Sequence, residues 1–503
     1  MTRAVMVWGT SSGAGKSWLC TALCRWAAAR GVDVAPFKAQ NMSNNARVVP
    51  GPDGGFGEIG AAQYFQALAA RVTPGVDMNP VLLKPERDTA SQVVVHGRVD
   101  AALSKLPWRE RSARLAVPAR ESFLRLAARH ELIVIEGAGS PAEINLAAHD
   151  YVNLGTARWA QAAGPLTSLL VTDIDRGGAF AHLYGTWALL PRDLRGTLAG
   201  FVLNKFRGDA ALLAPGPEQL RRLTGVPLAG VLPLRRDHGL PEEDGVFDDA
   251  ATGAGGEVRW RVAVIAAPHL SNLDEFQPLR RVPGLRLTWA RTTADLERAD
   301  WIVLPGSKQV SGDLAWLRAQ GLDAAVRRHA AAGGAVLGIC GGLQMLGLGL
   351  TDPDGIDGER HAGVPGLGLL PLATRYEQAK HVRPTVATFG QPHGPWAALA
   401  GISAAVYEIR HGTTAPAAAG TGAGAGSTCV PVLYDADGAT VGWQAGAVLG
   451  VCTHGLFESA AVLRALFNAA VPSLDAVFDT LAGLVDEHLD AALLRRLLTA
   501  AAA

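Results

Sequence analysis

A short apolar run at 335–339, Ala-Val-Leu-Gly-Ile, stops at a cysteine set among glycines, Gly338-Ile339-Cys340-Gly341-Gly342, and an apolar stretch, Leu343-Gln344-Met345-Leu346, comes next. The run has the length and composition of a buried strand, and the stretch after the glycines suits a helix. A strand that turns sharply through one reactive side chain into a helix constrains the fold more than any other feature here, because it requires an α/β layer. The Gly-x-Ser-x-Gly elbow of hydrolases works in the same way: a strained corner presents the side chain and leaves backbone N–H groups free. A thiol at a helix N-terminus has its thiolate favoured, and Gly341 lets substrate approach and aims an N–H at a developing oxyanion. A free cysteine in a glycine-rich strand end is commonly a packing residue, but packing does not explain Gly-x-Cys-Gly-Gly.

The motif Gly338-Ile-Cys340-Gly-Gly-Leu-Gln344 resembles the nucleophile motif of class I glutamine amidotransferases. The resemblance implies that this half of the chain strips ammonia from glutamine and that the rest consumes it. The apolar run Val448-Leu-Gly450-Val-Cys452 then delivers Thr453-His454-Gly455 to a sheet edge. Alone, His454 would read as a satisfied core histidine; paired with Cys340 it is the general base. The resemblance also makes the turn after 301–304, Pro305-Gly306-Ser307, the second oxyanion donor, near Gly306 or Ser307, beside Gly341. Class I triads carry a glutamate two residues after the histidine, whereas this chain has Leu456. His454 must be oriented by another group, for which a backbone carbonyl and, less favourably, Glu458 are the candidates.

At 503 residues the chain exceeds one core, and two to four domains are expected. Lys+Arg and Asp+Glu are 46 each, so nothing in the charge balance argues for nucleic acid or a membrane surface. The five cysteines are scattered, which is no disulfide framework; Cys20 and Cys24, four apart on an expected helix, read as core. The longest apolar tract is interrupted by the glycines around Cys340, which argues against a membrane span, and no leader is seen before the first strand. A cytoplasmic enzyme with a free thiol is the expectation.

The N-terminal strand at 4–8 runs into Gly9-Thr10-Ser11-Ser12-Gly13-Ala14-Gly15-Lys16-Ser17 and then a helical pattern. A glycine-rich loop between strand and helix cradles phosphate: Lys16 reaches the terminal phosphates of ATP, and Ser17 ligates Mg2+. Thr10 stands where the first glycine of the standard motif would be, a variant similar to the loop of dethiobiotin synthetase and its relatives. ATP binding is accordingly assigned to Thr10, Gly13, Gly15, Lys16 and Ser17. Glu136, after the apolar strand 132–135 and before Gly137-Ala138-Gly139, resembles the acidic Mg2+ ligand of that branch. Asn204, at the end of the strand 198–203, resembles an adenine-reading residue. Ser11 in place of an extra lysine counts against partition-type ATPases.

The amide-rich stretch Pro36-Phe-Lys38-Ala-Gln40-Asn41-Met-Ser43-Asn44-Asn45 makes a poor core and reads as the lining of a ligand site at a strand's C-terminal end, against a plain Asn-rich capping loop. With Glu58-Ile-Gly60-Ala-Ala-Gln63 and Asp77-Met-Asn79-Pro-Val-Leu-Leu-Lys84-Pro85 it resembles the cobyric acid synthases, and the resemblance spans nearly the whole chain. The substrates implied are glutamine and adenosylcobyrinic acid a,c-diamide, amidated at its b, d, e and g carboxylates in cobalamin biosynthesis. Gln40, Asn41, Ser43 and Asn44, with Asp173, Asp175 and Arg176 after the strand 168–172, are the substrate candidates. For the last three, an ion-paired loop is an equal reading from chemistry alone. The subunit count is not legible.

The expected fold class is α/β throughout: a P-loop, doubly wound parallel sheet followed by a flavodoxin-like amidotransferase domain. The boundaries expected are 1–232 for the ATP-dependent amide synthetase domain, 233–259 for a linker, 260–472 for the amidotransferase domain and 473–503 for a helical tail whose apolar stripe signals packing or a partner surface. The Ala/Gly/Ser/Thr tract at 415–428 reads as a loop insertion. Two rivals remain: a cobyrinic acid a,c-diamide synthase, and a P-loop regulatory ATPase carrying an inactive glutaminase-like domain.

Overall fold

The computed structural model describes residues 2–51, 53–87, 90–235, 238–240, 257–358, 360–417 and 429–498. Most of the expected linker and most of the 415–428 tract lie outside them. The chain divides into two compact units: Met1–Ser43, Val49–Leu240 and Leu474–Ala503 in one, and Asn44–Val48 with Pro241–Ser473 in the other.

The first unit is built on a six-stranded sheet. Its order is Leu228–Pro233, Leu198–Phe206, Leu166–Asp173, Arg3–Gly9, Leu132–Glu136, Val34–Phe37, with every pairing parallel. The central strands are apolar runs because both faces are covered by helices. Met6, Trp8, Ile133 and Ile135 face one core, while Val5, Val7, Val134 and Leu169 face the other. Register puts Val7 beside Glu136 and Gly9 beside Val171, so the glycine loop, Glu136 and Asp173 share the C-terminal edge, where open α/β sheets bind ligands.

The C-terminal helices, Leu474–His488 and Ala491–Leu498, are part of this unit. Their apolar stripe joins the core around helix Lys16–Ala28, burying Val477, Phe478, Leu481 and Val485 beside Leu19 and Leu23. Arg25 bonds Asp479 at 2.7 Å, and Trp26 Nε1 donates to Asp486 at 2.7 Å. The stripe is packing.

In the second unit the strands Leu285–Ala290, Trp260–Ile265, Trp301–Leu304, Ala335–Ile339 and Val448–Val451 are mutually parallel in that spatial order. Numbered along the chain, that is the 2-1-3-4-5 order of flavodoxin-like sheets. An antiparallel extension, Thr440–Ala445, Val430–Tyr434 and Leu372–Phe389, continues the same sheet, and Ser403–Pro416 pairs with the last of these. Two helices, Val310–Ala319 and Leu322–Ala331, lie between strands Trp301–Leu304 and Ala335–Ile339. Gly321 between them adopts φ +69°, which ends the first. Among the described residues, no helix is long and apolar enough to cross a membrane.

Candidate active site

Strand Ala335–Ile339 ends at Cys340, whose φ of 51° and ψ of −105° lie in a region that non-glycine residues avoid. Such a conformation costs about 1–3 kcal/mol and persists only where the surroundings enforce it. Here Cys340 N–H donates to Val451 O at 2.8 Å, which ties the elbow to the neighbouring strand. Helix Gly341–Leu346 starts immediately after. The two glycines are needed for close approach. A Cβ on Gly342 would collide with the Leu304 carbonyl, and one on Gly341 would sit 2.8 Å from Ser307 N. The Gly306-Ser307 turn therefore faces the elbow. A Cβ on Gly306 would lie 2.8 Å from His454 Cε1, so Gly306, Gly341, Cys340 and His454 converge on one spot.

The turn is braced from behind. Ser307 Oγ donates to Asp313 Oδ2 at 2.6 Å, and the Asp313 Oδ1 atom accepts from His269 N at 3.1 Å. Asp313 also bonds the His269 ring at 2.8 Å, which raises His269 above the usual imidazole value. The buried Gln344 side chain is fixed by Tyr376 OH at 2.9 Å.

His454 follows strand Val448–Val451 and is fully buried. Its Nδ1 lies 3.0 Å from Glu275 Oε1, and Glu275 Oε2 accepts the Gly455 N–H at 3.1 Å. Neither a backbone carbonyl nor Glu458 orients the ring, which corrects both sequence-based candidates; Glu458 faces Arg47 instead. With Nδ1 committed to Glu275, Nε2 is the nitrogen left for proton exchange with Cys340, whose Sγ lies 3.8 Å from Ile409 O. Burial opposes the imidazolium, but Glu275 and Cys340 outweigh it, and the ring is pushed up to about 10.

Glu275 was missed because it lies 179 residues before His454, outside the usual triad spacing. A signal existed: Ser271-Asn272-Leu273-Asp274-Glu275 is a polar cluster just past the C-terminal end of strand Trp260–Ile265.

In the first unit, Gly13 and Gly15 adopt φ +71° and +100°, conformations natural only to glycine. Lys16 Nζ donates to Ser11 O at 2.9 Å and to Gly139 O at 3.1 Å, bridging the two glycine turns. Thr10 Oγ1 pairs with Thr172 Oγ1 at 2.9 Å. Asn204 Nδ2 donates to Ala14 O at 3.0 Å, directly against the loop.

Ser17 Oγ donates to Glu136 Oε1 at 2.8 Å, and Lys38 Nζ bonds the same oxygen at 2.8 Å. Two hard oxygens converge where a cation is already favoured. That suits Mg2+, which takes one or two protein oxygens and fills its shell with water and phosphate. Burial alone would raise the Glu136 carboxyl, but Lys38, Gln66 and Ser17 hold it below the usual carboxylate range. Lys38 is the second residue not singled out from the sequence. It sits one position past strand Val34–Phe37, inside the amide-rich stretch.

Of the substrate candidates, Gln40 Oε1 accepts from Tyr151 OH at 2.6 Å, and Asn41 Nδ2 reaches Gln63 Oε1 at 3.3 Å. Gln63 in turn donates to Glu136 Oε2 at 3.3 Å, so Asn41 is linked to the Glu136 carboxylate. Ser43 N bonds Leu83 O at 3.0 Å, while Asn44 is counted with the second unit. Asp173 pairs with Lys205 at 3.1 Å and Arg176 at 3.4 Å, and Asp175 pairs with Arg207. These three form an ion-paired loop, yet Arg176 also points toward Gly13 of the phosphate loop, its Nη2 3.8 Å from where a Cβ would stand.

The comparisons agree with this division. Residues 5–245 match the CobQ/CobB/MinD/ParA nucleotide binding domain, and residues 261–462 match the CobB/CobQ-like glutamine amidotransferase domain. The cobyric acid synthase of Leptothrix cholodnii is 62% identical over 99% of this chain and 97% of its own length. That of Paracidovorax citrulli is 62% identical over 98% of both chains, and that of Variovorax paradoxus 61% over 99% of both. A P-loop nucleotide-binding unit, a glutaminase elbow and identity along the whole chain place this protein in the cobyric acid synthase family of glutamine-hydrolysing amidotransferases.

Proposed function

We propose that the chain hydrolyses glutamine at Cys340 and spends the ammonia on ATP-activated side-chain carboxylates of adenosylcobyrinic acid a,c-diamide, at the b, d, e and g positions, to give adenosylcobyric acid. The observation that carries the glutaminase half is the His454 ring, held by Glu275 and packed against the Gly306 turn that faces the Cys340 elbow.

The Cys340 proton is held on His454 Nε2, as the raised value of that ring favours, and Sγ attacks the amide carbon of glutamine. The negative oxygen that forms is met by N–H groups of Gly341 and the Gly306-Ser307 turn, each worth about 10²–10³ in rate. His454 returns the proton to the departing nitrogen, ammonia leaves, and a thioester remains on Cys340. Water, deprotonated by His454, then releases glutamate. Glu275 holds the ring in the tautomer that keeps Nε2 available and stabilises the imidazolium.

A carboxylate does not lose oxygen to ammonia unaided. In the first unit, phosphoryl transfer from ATP to a corrinoid carboxylate gives an acyl phosphate and ADP; ammonia then displaces phosphate to leave the amide. Thr10, Gly13 and Gly15 shape the phosphate loop, and Lys16 offsets charge on the transferred group. Ser17 and Glu136 would hold Mg2+, which supplies further charge neutralisation there. Asn204 stands beside the loop as the candidate adenine contact, and Gln40, Asn41, Ser43, Asn44, Asp173, Asp175 and Arg176 are the candidate corrinoid contacts.

Incubation with ATP, glutamine and either adenosylcobyrinic acid a,c-diamide or cobyrinic acid tests the assignment. Mass spectrometry should show four successive replacements of OH by NH2 on the diamide. Amidation of cobyrinic acid at a and c alone would instead identify the sister activity.

A further inference from the structure

Asn44–Val48 belongs to the second compact unit, although its sequence neighbours on both sides belong to the first. Its Arg47 side chain is 2% exposed. The guanidinium Nε donates to Asp274 Oδ2 at 2.8 Å, and Nη2 bonds the same oxygen. Nη1 pairs with Glu458. The guanidinium carbon lies 5.0 Å from the centre of the Tyr407 ring, and that ring stacks on His454 at 5.5 Å with a 21° interplanar angle.

The partners of Arg47 bracket the catalytic pair. Asp274 immediately precedes Glu275 at the start of the turn Leu273–Arg281, and Glu458 closes the turn Leu456–Glu458 just beyond His454. The same segment adds backbone-level restraints: Asn45 Oδ1 accepts the Leu273 N–H at 2.9 Å, and Ala46 O accepts from Asn272 Nδ2 at 3.0 Å. Asn272 Nδ2 also donates to Tyr407 OH at 2.8 Å. A planar cation with several fixed donors is the one side chain that can grip two carboxylates and cover an aromatic face together. Without it, Asp274 would be a buried negative charge beside Glu275, and the exposed Glu458 carboxylate would add to the same sign.

Resting on the glutaminase reading above, we infer that Arg47 is a positioning residue of the glutaminase centre, holding the Asp274-Glu275 turn and the Tyr407 ring in the arrangement that aims His454 at Cys340. It acts through Asp274, Glu458 and Tyr407. The stretch matched by the amidotransferase family, 261–462, does not contain it.

The test uses the full-length enzyme with Arg47→Met and Arg47→Lys. Lysine keeps the charge but cannot span both carboxylates. Both variants should lose at least about tenfold in the kcat for glutamine hydrolysis, the scale expected of a small misplacement of a catalytic group. KM for glutamine should stay within about twofold, and amidation driven by ammonium salt should remain at the wild-type rate. Alkylation of Cys340 by iodoacetamide should slow in parallel with kcat, a signature that general loosening would not give. Wild-type kcat in Arg47→Lys overturns the inference, as does a fall in ammonium-driven amidation matching the fall in hydrolysis in both variants. If Arg47→Met does not fold, Arg47→Lys alone decides. The glutaminase reading itself fails separately, if Cys340→Ala still hydrolyses glutamine.

Discussion

Glu275 Oε1 lies 3.0 Å from His454 Nδ1, although the two residues come from opposite ends of the second unit. The pair completes a cysteine–histidine–carboxylate arrangement whose third member arises from the turn after the first strand of that unit. Glu275→Gln keeps the shape and removes the charge. It should lower glutamine hydrolysis by about 10²-fold or more, in line with neutralising the carboxylate of a serine protease triad. Ammonium-driven amidation should be unaffected; steady-state kinetics with each nitrogen source checks both.

The same substitution should move the pH behaviour. His454 is raised to about 10 despite burial, with Glu275 the leading raising cause. Glutamine hydrolysis should therefore lose activity on the alkaline side near that value, and in Glu275→Gln the limb should move to lower pH. Stability follows with a definite sign. A folded-state value above the unfolded one of about 6.5 contributes stability that is fully present below pH 6.5 and is lost as pH rises through about 10. The excess stability of wild type over Glu275→Gln, read by denaturant unfolding across that window, should shrink as pH rises.

Much of the fold was legible because apolar strands ending in glycine turns can be read locally. The Lys16 loop and the Cys340 elbow each carry strand, turn and helix within about twenty residues, and register then fixes Glu136 beside the first. What was not legible is what depends on tertiary return. Glu275 meets His454, and Arg47 meets Asp274, Glu458 and Tyr407 around it, only because distant segments fold back there, and no local spacing encodes that. The ordinary polar composition of 271–275 concealed the first. Lys38 was hidden differently, by the amides around it. The helical tail had the right stripe, but which core it covered required the ion pairs of Arg25 with Asp475 and Asp479.

At Gly341 a side chain would enter the space before Ser307 N. Gly341→Ala should reduce glutamine hydrolysis by about 10²–10³-fold, the cost of losing one oxyanion donor. Circular dichroism should report an unchanged fold, and ammonium-driven amidation should persist.

In the first unit, burial would raise Glu136, and Lys38, with Gln66 and Ser17, outweighs it. Lys38→Met should therefore push the Glu136 carboxyl up, and the acid limb of ammonium-driven amidation should move to higher pH. Chelation of divalent cations should abolish amidation with either nitrogen source while sparing glutamine hydrolysis, which uses no residue of that cluster.

Phe478, on the C-terminal helix, is buried in the nucleotide-binding unit beside Leu23 and Trp26. Phe478→Ala should destabilise that unit by about 3–5 kcal/mol. Thermal inactivation should then remove ammonium-driven amidation at a lower temperature than glutamine hydrolysis.

The division of labour between sulfur and nucleotide is tested most directly by Cys340→Ala assayed for amidation with glutamine and, separately, with ammonium salt. The account predicts that glutamine-driven amidation disappears while ammonium-driven amidation proceeds at the wild-type rate. Persistence of glutamine-driven amidation, or loss of both in a folded protein, would contradict it.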